Sequence, residues 1–151
     1  MYIEWRRYMD KNECNLTSRI IDYGGKPIAL NIDKMAKTNQ YFRTALWSGE
    51  HLQVTLMSIP VGTDIGAEMH PNLDQFLRIE DGCALVMMGK SKSELCYHKK
   101  VDNNYAIFVP AGAWHNIINT GNIPLKIYSI YAPPQHPYGT VHRIKADAEH
   151  H

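Results

Sequence analysis

Glu68, His70, Asp74 and Gln75 fall within eight positions of one another in the stretch GAEMHPNLDQFLRIEDG, residues 66–82. Their side chains offer carboxylate oxygens, an imidazole nitrogen and an amide carbonyl, the donor types that divalent cations take from proteins. Residues two apart on a strand point to the same side, so Glu68 and His70 can face one interior. Gln75 follows the turn PNLD and is expected to return, on the next strand, to the level of His70. Asp74 is a competing donor, but it points opposite to Gln75 and reads as a loop acid. A lone Glu-x-His pair is ordinarily a surface feature, so a metal site also needs a ligand from a second segment. That segment is NNYAIFVPAGAWHNIIN, residues 103–119, in which Pro110 and Gly112 form a tight turn that delivers His115 onto the following strand.

The elements that must hold these side chains are short and β-type. From residue 50 onward HLQVTLMSI, DQFLRI, CALVMMG, ELCYHKKV, YAIFVP, WHNIIN and LKIYSIYA are separated by Gly, Pro, Asn and Asp clusters, the spacing of an all-β sandwich or barrel. In HLQVTLMSI, Leu52, Val54 and Leu56 alternate with Thr55, Met57 and Ile59. Both faces are therefore largely apolar, which suits a strand between the core and a second layer or subunit and points to a homodimer. The less regular residues 1–45 are read as N-terminal structure packed on the barrel: DYGGKPIALNI as a turn and strand, DKMAKTNQYF as a short helix. Residues 46–133 are expected to form the barrel and 134–151 an extended C-terminal arm with a frayed end, all within one domain.

Composition narrows the function classes. With 151 residues, 44% of them hydrophobic, the chain has the size of one core. Sixteen Lys and Arg against fifteen Asp and Glu leave a net charge of +1, without the basic surplus that a nucleic-acid backbone calls for. The apolar runs are too short to span a bilayer, and the first residues lack an apolar signal core, so a cytoplasmic protein is expected. Cys14, Cys83 and Cys96 are odd in number and form no CxxC pair, which suits reduced thiols.

On these residues the chain resembles the cupin superfamily. Its first motif is matched in spacing by Gly62, Glu68, His70, Gln75 and Gly82, and its second by Asn104, Pro110, Gly112, His115 and Asn119. The resemblance implies a double-stranded β-helix, the cupin jelly-roll barrel, and a metal held by Glu68, His70, Gln75 and His115. The ion so implied is a divalent transition metal, with Zn, Mn, Fe, Co and Ni all compatible. Three positions depart from the pattern. Glu68 stands at the first His, Gln75 at the Glu, and Asn104 at a Gly whose left-handed turn Asn tolerates. HLQVTLMSIP, WHNIINTGN and the tail from PPQHPYGTVH to KADA are similar to short bacterial cupins labelled mannose-6-phosphate isomerase-like.

His136, His142 and Glu80 are candidates for moving protons. His136 and His142, in PPQHPYGTVH, either fold back over the barrel mouth or bind a surface or partner. Arg78 and Glu80 are read as sharing the face of Gln75, within reach of the pocket. The reading that follows is a metal-dependent enzyme on a small polar, sugar or sugar-phosphate-like substrate, of isomerase type, although no Gly-rich phosphate cradle or Arg/Lys cluster stands near the motifs. An Fe(II) dioxygenase and a non-catalytic barrel holding a small ligand are the alternatives.

Overall fold

A computed structural model describes residues 21–149; Cys14 and the terminal pair His150 and His151 lie outside them. In chain order the elements are helix α1 (Ile32–Thr38), strands β1 (Arg43–Ser48), β2 (Gln53–Ile59), β3 (Asp74–Asp81), β4 (Ala84–Gly89), β5 (Tyr97–Val101), β6 (Ala106–Val109), β7 (Trp114–Asn119), β8 (Leu125–Ala132) and β9 (Val141–His142), then helix α2 (Lys145–Glu149). The strands make two antiparallel sheets, β6-β3-β8-β2-β1-β9 and β5-β4-β7, which face each other as the expected double-stranded β-helix.

Register grades the interior from dry to polar. At one end Ile59 pairs with Leu125 and Met57 with Ile127, which itself pairs with Ile79 on its other side. These residues are almost fully buried and pack with Val86, Ile107 and Ile117 of both sheets. Each such side chain contributes about 1.5–3 kcal/mol by leaving water. Two and four residues along, the same inward columns turn polar: Thr55 opposes Ser129, and Tyr131 lies between Gln53 and Gln75. Sequence alternation puts these residues on the inner face, and the pairing gathers them at one end.

The second layer over β2 comes from the chain itself. Leu56 packs outward with Leu46, Tyr23, Met35 and Ala36, and Val54 joins them. Helix α1 presents Met35 and Ala36 to this layer, and the Asn31 side chain caps it by accepting from the Lys34 N–H. The apolar outer face that suggested a subunit contact is thus covered by α1 and the residues before it.

Other expectations shift. The segment KPIALN has no strand after the Gly24–Gly25 turn, and β1 crosses the boundary drawn at residue 46. The arm is less extended than expected: β9 pairs with β1, and α2 follows.

Candidate metal centre

Glu68, His70 and His115 converge inside the polar end of the barrel. Glu68 and His115 face each other across an antiparallel bridge in which each N–H donates to the other's carbonyl, at 3.0 and 2.9 Å. The N–H of Gly112 donates to the His70 carbonyl at 2.8 Å, so the turn after β6 is tied to the segment carrying the other two residues. Gly112 has φ +84 and a Cβ there would meet nothing within 4 Å, so it is conformation and not space that calls for glycine. Asp74, exposed at the first position of β3, braces the turn from the other side by accepting from the Ala111 N–H at 2.9 Å.

The side chains are spaced for a shared ion. Glu68 Oε1 lies 3.6 Å from His70 Nε2 and 3.4 Å from His115 Nε2. All the donor atoms of the three residues lie within 4.8 Å of one another. These separations exceed a good hydrogen bond, yet they match two donors that each sit about 2.1 Å from one cation. Both Nε2 atoms are buried without a hydrogen-bond partner. His115 Nδ1 lies 3.1 Å from the Ala113 carbonyl, a contact that orients the ring with Nε2 toward Glu68. Burial alone would raise the Glu68 carboxyl. The imidazoles of His115 and His70, aided by the charge of Arg43, outweigh it and hold the group well below the usual carboxylate range, ionised as a ligand must be.

Gln75 is 3% exposed on the inner face of β3. Its Nε2 donates to Ser129 Oγ at 2.7 Å, which leaves Oε1 buried and without a partner. Tyr131, its register neighbour, sets its ring edge-on to His70 with centroids 5.7 Å apart. The Tyr131 hydroxyl and Thr55 Oγ1 are also buried and unpartnered, and burial pushes the Tyr131 phenol up.

His136 and His142 do fold back. Gln53 holds the arm by accepting from the His136 N–H at 2.9 Å while its Nε2 donates to the His136 carbonyl at 2.9 Å. Asp22 fixes the arm farther on by accepting from the Gly139 N–H at 2.8 Å. The His136 ring is 5.2 Å from Tyr131 and 6.3 Å from His142, so the imidazoles extend a row of rings from His115 through His70 and Tyr131. Burial, with Arg43 beside it, drives the His136 imidazole down to about 3, so it is neutral at ordinary pH.

Glu80 is a correction. Side chains alternate with period two, so Gln75, Leu77 and Ile79 face inward while Arg78, three residues from Gln75, faces out. Glu80, five residues from Gln75, faces out by the same alternation, 3.4 Å from the Arg78 Nε. Burial and Asp33 of α1 raise its carboxyl, on the side of the sheet away from the cluster. The residue that spacing did not disclose is Arg43, buried on β1; its one visible signal is a single cation inside the otherwise uncharged run YFRTALW.

Comparison with known proteins agrees with the fold. The cupin domain family model matches residues 55–131. The uncharacterized protein YrkC of Bacillus subtilis strain 168 is 64% identical over 127 residues, 84% of this chain and 68% of that one. The uncharacterized protein L612 of Acanthamoeba polyphaga mimivirus is 38% identical over 113 residues, 74% and 69% of the two chains. The crystal structure of BH2720 from Bacillus halodurans superposes with a TM-score of 0.86 at 58% identity, covering 87% of this chain and all of that one, 100%.

Proposed function

This chain belongs to the cupin family, and from that premise we propose that it is a metal-dependent enzyme acting on a small polar substrate. Glu68, His70, His115 and the Gln75 carbonyl hold the ion in this reading. The observation that carries it is the pair of buried, unpartnered imidazole nitrogens set 3.4 and 3.6 Å from one ionised carboxylate. A bound divalent ion would supply Lewis acidity toward a substrate carbonyl or hydroxyl. The chain's own residues do the rest. Gln53 and Asp22 hold the arm in place, and the buried hydroxyls of Tyr131 and Thr55, which lie close to one another, can turn to meet a bound molecule. His136 and His142 are the positional candidates for handling protons. The neutral His136 serves as a hydrogen-bonding group and not as a charged acid.

The reaction type we assign is an isomerisation moving a proton between neighbouring carbons, in line with the mannose-6-phosphate isomerase-like resemblance. One observation favours a second reading: two imidazoles and one carboxylate form the donor set of non-haem Fe(II) oxygenases. A homodimer and a cytoplasmic location belong to the proposal. The dimer needs a surface other than the outer face of β2, and sedimentation at micromolar concentration tests it.

The deciding experiment is elemental analysis of protein purified without chelator or nickel resin, followed by metal titration. About one ion per chain is expected, with loss in His70→Ala and in His115→Ala; iron favours the oxygenase reading. No uptake by the unmodified protein, or unchanged uptake in both variants, overturns the metal centre.

A further inference from the structure

Arg43 is 5% exposed and pairs in register with Met57, an inward residue of the core, and with His142. Its guanidinium has few partners. Nη1 lies 3.4 Å from His142 Nδ1, and Cζ sits 5.6 Å from the Phe42 ring centre. Nε is buried without a hydrogen-bond partner. Among the described residues no carboxylate lies within 4.0 Å of it. From beside Met57 its side chain reaches His142, and the rings of His142, His136, Tyr131 and His70 follow one another at 6.3, 5.2 and 5.7 Å toward the cluster.

A buried cation is costly unless a counter-charge with hydrogen bonds meets it. Glu68 makes no ion pair with Arg43, so the buried guanidinium lacks a contacting counter-charge even while no ion is bound. Once a divalent cation takes Glu68, the interior holds that cation and a guanidinium against one carboxylate, because Gln75 brings no charge. The surplus is positive, and an anion entering with the ligand offsets it. The planar fork of a guanidinium matches a carboxylate, which it binds through two parallel N–H groups. His136 Nε2, buried and unpartnered, lies on the same side, its ring 6.3 Å from that of His142, which the Arg43 guanidinium contacts.

We propose that Arg43 is the anion-binding half of a two-part ligand site: it takes the carboxylate of a small hydroxy- or oxo-carboxylic acid, whose neighbouring oxygen faces Glu68, His70 and His115. The second half rests on the metal reading above; the first does not. One guanidinium beside a neutral His136 suits a single negative charge. A phosphate dianion would call for more cations than this end of the barrel provides.

Calorimetric titration of the full chain tests both halves. Glycolate is expected to bind the metal-loaded protein at least about tenfold more tightly than glycolamide, its uncharged counterpart, or inorganic phosphate. Arg43→Gln should lose that preference with metal content unchanged, and Arg43→Lys, which keeps charge but not the fork, should fall between. Acetate has no second oxygen and probes the carboxylate half alone. It should bind metal-free protein and not Arg43→Gln. Equal binding of glycolate and glycolamide, preference for phosphate, or glycolate affinity unaltered in Arg43→Gln overturns the proposal. Should the Gln variant not fold, the comparison of the three probes on unmodified protein still decides it. Failure of the metal reading appears differently, as no metal uptake with acetate binding retained.

Discussion

Glu68 and His115 meet twice, through paired backbone hydrogen bonds of 3.0 and 2.9 Å and through side-chain atoms 3.4 Å apart. The backbone bridge sets the distance between the side chains, so the site is built by strand pairing and not by side-chain attraction. Glu68→Gln keeps the shape and removes the charge. It should weaken divalent metal binding by about 2 kcal/mol or more, the difference between a charged and a neutral donor. Competition titration against a chelating dye measures this; equal affinity would remove Glu68 from the ligand set.

Gln75→Glu runs the other way. The Gln75 amide now donates to Ser129 Oγ, and the Ser129 hydroxyl can rotate to donate to a carboxylate in its place, so the substitution should be accommodated. Metal affinity should rise by on the order of 1 kcal/mol or more. Any turnover should fall, since a second carboxylate dampens the Lewis acidity of the ion. Unchanged affinity would show that Gln75 lies outside the coordination sphere.

Asp74→Ala separates bracing from ligation. Losing the contact to the Ala111 N–H should cost about 1 kcal/mol of stability in a urea melt and weaken metal binding by less than about tenfold, through a looser turn before His115. Complete loss of metal with stability intact would make Asp74 a ligand.

Acidification should loosen the arm. The folded protein holds the His136 imidazole at about 3 against its ordinary 6.5. The unfolded chain therefore binds the proton first, and the stability contributed by the neutral ring is complete above pH 6.5 and is lost as pH falls from there toward 3. His136→Gln should flatten the melting temperature against pH in that window. A curve parallel to that of the unmodified protein would assign the acid sensitivity elsewhere.

The sequence by itself determined the strand content, the turn at Pro110 and Gly112, and the pairing of Glu68 with His70, because alternation, turn chemistry and donor type act over a few residues. Asn104 adopts φ 72, as its place in the motif required. The tertiary structure alone decided what surrounds the cluster. Register between β2, β8 and β3 sorts inward residues into a dry end and a polar end, and a one-residue change in pairing would invert every face. The outward turn of Glu80 follows from the period of two, counted from the inward Gln75. Arg43 and His142 stand 99 residues apart in the chain, and only the pairing of β1 with β9 brings the guanidinium and the imidazole to 3.4 Å. No local pattern encodes that contact, because its energy comes from burial within a closed barrel and not from neighbouring residues.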